Sequence, residues 1–331
     1  MVDPIQTIAV IGYGSIAKKH IDTLQRIDPL LKILVYTRQT VSPIASALGS
    51  NVHFYNDFEI IRNSRPDVAM IATAATGHSE FTRKLSKTTS NIIIEKPITE
   101  NGESALKLTR FLKKNRTTGV VAYNLRFLEG LNKIKKLLTE KQLGTIQRFE
   151  MSVGHDLKNW RPGIDYKNSV SAKKSLGGGV LRELSHELDL ANHLFGKPIH
   201  HNTILARLKY VSLDVEDTVL FQGAFQKTDL ILGSITMDFT RVDRHRTLTL
   251  LGSEKTLHWD INRGTVDLIS AIGCQRVFND KNDLNNTYSK MWKNLLESRF
   301  DDFCTLNEAT ETMNIIDDAE NNGHFFEKAV T

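Results

Sequence analysis

The chain has 331 residues, 43 of them Lys or Arg and 38 Asp or Glu, for a net charge of +5. At 40% hydrophobic and 24% charged, it has the make-up of a globular chain with material for about two domains of roughly 150 residues. The basic residues are dispersed rather than interleaved with aromatics, which argues against a nucleic-acid binder. No run approaches the ~18 apolar residues of a membrane span, and the start MVDPIQTIAVIG lacks a basic, then apolar, leader pattern. The two cysteines, Cys274 and Cys304, show neither metal nor disulfide spacing, which suits a reducing cytoplasm.

In chain order, the first element is the short apolar run Thr7 to Ile11, which reads as a buried parallel strand. Gly12, Gly14 and Ala17 follow as G-x-G-x-x-A. A helical pattern then places Ile16, His20, Leu24 and Ile27 on one face. In such a turn the first glycine allows a tight bend, the second lets backbone approach a pyrophosphate, and the small third residue lets helix pack on strand. The helix N-terminus offers N–H groups to phosphates. The expected cofactor contacts are Gly12, Tyr13, Gly14, Ser15 and Ile16.

A second strand, KILVYT, ends at Tyr36-Thr37-Arg38. A NAD site usually carries Asp or Glu there for the ribose 2′-OH. A hydroxyl followed by a guanidinium suits a 2′-phosphate, which favours NADP over NAD through Thr37 and Arg38. An ordinary loop arginine would look the same. PDVAMIAT, SNIIIEKPI and TTGVVAYNLRF continue the strand–helix alternation, which predicts a doubly wound parallel sheet over residues 1–123. Ligands bind beyond the carboxyl ends of such strands, where Thr73, His78, Glu95 and Lys96 fall.

The pattern then changes, and residues 124–331 read as a second, α+β domain. LEGLNKIKKLLTEKQLG is an amphipathic helix with a lysine-rich outer face. IQRFEMSVG alternates like a strand. HDLKNWRPGIDYKNSVSAKKS is a long polar loop, a kind of segment more often functional than idle. GGGVLRELSHELDLANHLFG reads as one helix. Its apolar face carries Leu181, Leu184, Leu188, Ala191 and Phe195; the opposite face carries Arg182, His186, Asp189 and His193, with Glu183 on the flank. HNTILARLKYV, DTVLFQGAF, LILGSITMDF, RTLTLLGSEKTLHWDI and TVDLISA predict a large, mostly antiparallel open sheet, and the tail from Lys293 to Phe326 reads as helical. HELDL lacks the second histidine of H-E-x-x-H, so no metal site is expected. No G-x-S-x-G elbow is present for a hydrolase.

Four stretches together carry a family resemblance: IGYGSIAKKH, IIIEKPIT, YNLRF and GGGVLRELSHELDLANHLFG. The chain resembles the glucose-fructose oxidoreductase / inositol dehydrogenase / MocA family of NAD(P)-dependent sugar and polyol oxidoreductases. The resemblance implies an N-terminal Rossmann domain and a C-terminal domain built on a large open sheet. That sheet commonly packs on its counterpart in another subunit, so a homo-oligomer is expected. It implies hydride transfer between nicotinamide and a carbinol or keto carbon, with Lys96 between nicotinamide and substrate and His186 exchanging the hydroxyl proton. An ordinary histidine titrates near 6.5 and an ordinary lysine near 10.4, so histidine is the better proton carrier at neutral pH and lysine the better fixed charge. Many relatives place Asp four residues before the histidine; here Arg182 stands there, and Glu183 is the acid three residues before. The usual Thr-Pro-Asn after the third strand is Thr73-Ala74-Ala75. Relatives of other classes use a retained cofactor for redox-assisted glycoside cleavage, or act as ligand sensors without turnover.

The substrate is read less directly. Arg126, Trp160, Arg161 and Tyr166 join Lys96 and His186 as candidate substrate contacts, with Trp160 suited to a sugar face or to the core. Arg161, Lys173 and Lys174, with Arg241, Arg244 and His245, favour an anionic sugar, such as an acidic or nucleotide-activated one. The loop wording GHDLKNWRPGIDY looks like a subgroup tied to bacterial surface-carbohydrate synthesis.

Overall fold

The computed structural model describes residues 4–40, 49–160, 165–210 and 213–328. Contacts divide the chain into two units. The first comprises 1–124 with 288–313; the second comprises 125–287 with 314–331. The sequence division falls at 123/124, with C-terminal helices expected to pack back on the first domain. Residues 288–313 supply a strand and packing surfaces to the first unit.

The first unit is a seven-stranded sheet. Its parallel strands are β1 (Thr7–Ile11), β2 (Lys32–Tyr36), β3 (Val52–Tyr55), β4 (Val68–Ile71), β5 (Asn91–Ile94) and β6 (Thr118–Val121), in spatial order 3-2-1-4-5-6. A two-residue strand at Cys304–Thr305 adds antiparallel to β6. The continuous apolar runs are explained by burial on both faces: Ile8, Val10, Ile33, Val35, Met70 and Ile93 are fully buried. Helices α1 (Ser15–Ile27), α2 (Phe58–Asn63), α3 (Ala75–Leu85) and α4 (Gly102–Lys114) make the crossovers. Strand order reverses between β1 and β4, the switch point where such sheets bind ligands.

The second unit holds α5 (Glu129–Thr139) and a nine-stranded sheet. Seven of its strands are β7 (Ile146–Gly154), β8 (Pro198–Arg207), β9 (Thr218–Gln226), β10 (Leu230–Asp238), β11 (His245–Gly252), β12 (Thr256–Asp260) and β13 (Thr265–Ser270). Pairing is antiparallel except β10 with β7 and the C-terminal strand His324–Glu327 with β8. That C-terminal strand and the hairpin strand Gly273–Asn279 carry no alternation of their own in burial, which is why periodicity did not find them. On β9, Val219, Phe221 and Phe225 are buried while Leu220 and Gln222 face out. One face of the sheet is therefore covered and the other open.

The glycine-led segment is not one helix. It is a single turn, α6 (Val180–Glu183), a break at Leu184-Ser185, and α7 (His186–Phe195). Both pack on β9 and β10, and Phe195 stacks on Phe149 of β7 at 4.4 Å. The helical tail is likewise interrupted. It comprises α8 (Asp283–Leu296), the edge strand at Cys304, and α9 (Leu306–Asn322). Among the described residues no helix is long and apolar enough to cross a membrane.

Candidate functional site

In the first unit the turn after β1 has the geometry its glycines require. Gly12 sits at φ +110°, and a Cβ there would stand 2.6 Å from the Ala72 carbonyl oxygen at the end of β4. Only glycine fits this left-handed, close approach. Around a Cβ on Gly14 there is nothing within 4 Å. Gly14 is also the N-cap of α1, with no side chain capping the first turn. The first-turn N–H groups therefore face open space at a helix N-terminus, an arrangement suited to a pyrophosphate. Ser15 is exposed and Ile16 half-buried beside this space. Tyr13 packs edge-on against Phe54, with the Lys18 ammonium over its ring, and burial raises its pKa.

At the end of β2, Thr37 is buried and its hydroxyl accepts from Gln39 N at 3.1 Å. Arg38 is exposed and donates through Nε to the Tyr36 hydroxyl at 3.1 Å. Thr73, half-buried, follows β4. Lys96, half-buried, follows β5, and the Lys96–Pro97 bond is cis.

His78 and Glu95 are placed differently from Thr73. His78 is 1% exposed, with Nδ1 3.0 Å from the Pro97 carbonyl and Nε2 3.0 Å from the Thr73 carbonyl. Burial lowers its pKa, opposed by those carbonyls and by Glu95. Glu95 is buried between His20 and the Lys96 backbone. Both were expected to touch cofactor; both are instead internal ties of the loops that carry Thr73 and Lys96.

In the second unit His186 is the first residue of α7, half-buried. The face expected to be solvated or ligand-lined is largely taken up by ion pairs. Arg126, from the turn after Tyr123, is 1% exposed and forks onto Asp189 at 2.9 and 2.8 Å. Arg182 forks onto Glu320 of α9 at 2.6 and 2.7 Å. Glu187, 2% exposed, pairs with Arg246 of β11 at 2.8 Å. Arg126, a candidate substrate contact from sequence, is thus a buried partner that fixes α7. Glu183, half-buried, ends α6, and Leu184-Ser185 separate it from His186 at the start of α7.

The glycines before α6 serve a close approach. A Cβ on Gly179, at φ +114°, would lie 2.7 Å from Glu216 Oε1. Glu216 accepts from Leu181 N at 2.9 Å, and burial pushes its carboxyl up to about 7. Trp160, half-buried, packs edge-on against Phe239 and donates to the His155 carbonyl. Tyr166 leans on Tyr210, whose hydroxyl donates to Asp156. Arg161 lies outside the described residues. One residue beyond the last β7–β11 rung, Gly154 opposite His245, stand His155 and Arg244. The pKa of His155 is lowered by burial and by the Arg244 charge. No carboxylate among the described residues pairs with Arg244. Nor do those residues hold a group of three or more His, Cys, Asp or Glu able to bind a metal ion.

A glycine turn of this shape, on this strand order, defines the class of Rossmann-type dinucleotide-binding proteins. Comparison with known proteins narrows the class. Residues 6–123 match the oxidoreductase family with NAD-binding Rossmann fold, and residues 131–258 match the GFO/IDH/MocA C-terminal domain. The chain belongs to the GFO/IDH/MocA oxidoreductase family. It is 24% identical over 194 residues to an uncharacterized oxidoreductase, YrbE, of Bacillus subtilis, covering 57% of this chain and 54% of that protein. It is 26% identical over 230 residues to the B. subtilis NADP-linked scyllo-inositol 2-dehydrogenase IolW, covering 68% and 62%. The match spans about half the length of the first curated relatives. Among solved structures, levoglucosan dehydrogenase in complex with NADH and levoglucosan has the same fold, with a TM-score of 0.80 at 18% identity, over 94% of this chain and 95% of that one.

Proposed function

We propose that the protein is an NAD(P)-dependent dehydrogenase or reductase that moves a hydride between nicotinamide and a CH–OH carbon of a sugar-like substrate. The observation that carries this reading is the Gly12–Gly14 turn at the switch point, with Lys96 at the end of β5, beyond β4 in the same sheet. Family membership and relatives named as inositol and levoglucosan dehydrogenases support it.

The bound nicotinamide supplies the hydride acceptor or donor. Gly12 to Ile16 hold the pyrophosphate, and Thr73 borders the nicotinamide side. Lys96 hydrogen-bonds the substrate oxygen. His186 takes the hydroxyl proton in the oxidative direction and returns it in the reductive one. Glu183, the last residue of α6, is the acid that orients the His186 ring across the break between α6 and α7.

NADP is favoured over NAD by Arg38, an exposed residue whose guanidinium suits a 2′-phosphate, and by the absence of a carboxylate at the end of β2. An anionic sugar is favoured by Arg244, which pairs with no carboxylate among the described residues. A homo-oligomer through the C-terminal sheet is favoured by its open face, where Ile204 and Leu220 are cross-strand neighbours and 40% and 42% exposed. The cytoplasm is the expected compartment.

The test is nicotinamide absorbance with NADP and NAD against a panel of myo-inositol, levoglucosan, glucose 6-phosphate, glucuronate and a UDP-sugar. Net reduction of cofactor by a sugar supports the reading. Sugar cleavage without net cofactor change replaces it with redox-assisted cleavage, and binding without either replaces it with a sensor.

A further inference from the structure

Glu95 immediately precedes Lys96, and its buried carboxylate has two close partners. One oxygen lies 2.8 Å from Nε2 of His20 on α1, and the other accepts from the Lys96 backbone N–H at 3.0 Å. On its far side the His20 ring meets Trp292 of α8, whose indole Nε1–H reaches Nδ1 at 2.9 Å. An indole nitrogen only donates, so Nδ1 must carry the lone pair. The ring proton is therefore on Nε2, aimed at Glu95. Tyr288 and Trp292 both stand edge-on to the ring, at 5.3 and 5.7 Å between centroids. His20 is fully buried, and so is Trp292.

A carboxylate and an imidazole out of water are costly to keep. An aliphatic pair would pack α1 on the sheet as well. What the polar pair does is directional: the indole donates to the imidazole, the imidazole donates to one carboxylate oxygen, and the other oxygen accepts from the Lys96 peptide N–H. On the other side of Lys96, the buried His78 ring lies between the Pro97 and Thr73 carbonyls, 3.0 Å from each, and in its neutral form donates to one of them. The main chain on both sides of Lys96 is thus packed against buried polar side chains.

We infer that Trp292, His20 and Glu95 form a buried positioning relay that fixes the Lys96 peptide, and hence the direction in which the Lys96 side chain leaves the backbone. His20 and Trp292 are positioning residues; neither touches a ligand. Glu95 and His78 join them and leave the set of expected cofactor contacts. The inference rests on the proposed role of Lys96 in turnover, but its first test does not.

That test is the 15N spectrum of histidine-labelled full-length protein. His20 should show a lone-pair-type Nδ1 and an N–H-type Nε2, and Trp292→Phe should lose this fixed tautomer while keeping the fold. A mixed or Nδ1–H tautomer in the unsubstituted protein overturns the relay. The second test is steady-state kinetics with the panel sugar of highest kcat/KM. Trp292→Phe, His20→Leu and Glu95→Gln should each lower kcat roughly 10–100-fold, the scale of a small misplacement of a reacting group, with KM and NADP affinity little changed. His20→Gln, which can still donate to Glu95, should recover part of the loss. Wild-type kcat in His20→Leu, or a loss seen only as weaker NADP binding, overturns the inference. Wild-type turnover in Lys96→Ala would instead sink the catalytic reading of Lys96, with the tautomer result standing by itself.

Discussion

The cofactor turn of the first unit and the α6–α7 segment of the second were equally conspicuous as sequence, yet only the first kept its sequence-level description. At Gly12 and Gly14 the requirement is local: a positive φ, a close strand and an open helix end. Three or four residues specify such a turn whatever surrounds it. Around His186 the requirement is not local. The charges of that segment are matched by Arg126, Arg246 and Glu320, which lie far away in the chain. Periodicity assigns a charged stripe to solvent, and it has no means of seeing a buried partner.

The largest effects should come from the two residues proposed to take part in turnover. His186→Ala should reduce kcat by about 10²–10⁴-fold, the usual share of positioned proton transfer, and Lys96→Ala by a comparable factor. NADP affinity, measured by nicotinamide fluorescence, should stay near wild type in both. If His186→Ala turned over normally, the second unit would hold substrate without doing chemistry.

Next in size is the buried pair Arg126–Asp189, both members 1% exposed. Breaking it with Asp189→Ala should cost about 3–5 kcal/mol, because a buried guanidinium is left without its partner. Thermal unfolding would register this as a lower Tm. A Tm within a degree or two of wild type would mean that Asp189 sits on a solvated face after all.

Glu216 gives a pH-dependent test of the same segment. Its carboxyl is pushed up to about 7 by burial, with Glu320 adding to the shift and Leu181 N and Arg182 opposing it. A raised carboxyl contributes stability that is full below its unfolded value near 4.5 and is lost as pH rises through about 7. The loss is on the order of 3 kcal/mol. Glu216→Gln keeps an acceptor for Leu181 N and should flatten that decline, so the variant should be more stable than wild type at pH 8 and similar at pH 5. Parallel stability–pH curves for the two proteins would contradict the assignment.

The smallest effect is expected in the first unit. Arg38→Ala should weaken NADP binding and leave NAD nearly unchanged. Equal losses for both cofactors would show that Arg38 supports the loop rather than reading the 2′-phosphate.

Much of the molecule was set by local pattern. Continuous apolar runs gave β1, β2, β4, β5 and β6 because strands buried on both faces need nothing else. Alternation gave β7 to β13 because one face of the second sheet is covered and the other open. The exposed hairpin strand Gly273–Asn279 and the edge strand at His324 lack that contrast and were legible only as partners of other strands. The turn that suits a dinucleotide, and Lys96 beyond β5, were readable for the same local reason.

Only the tertiary structure decided what the polar side chains do. His20 counted as one more member of an apolar helix face until Trp292, 272 residues away, supplied a donor to its ring. Arg126 looked like a ligand contact until Asp189 took both arms of its guanidinium. Hydrophobic burial is non-directional and leaves a periodic trace along the chain. A hydrogen bond or ion pair depends on two groups meeting within about 3 Å, and the sequence records each group without recording the meeting.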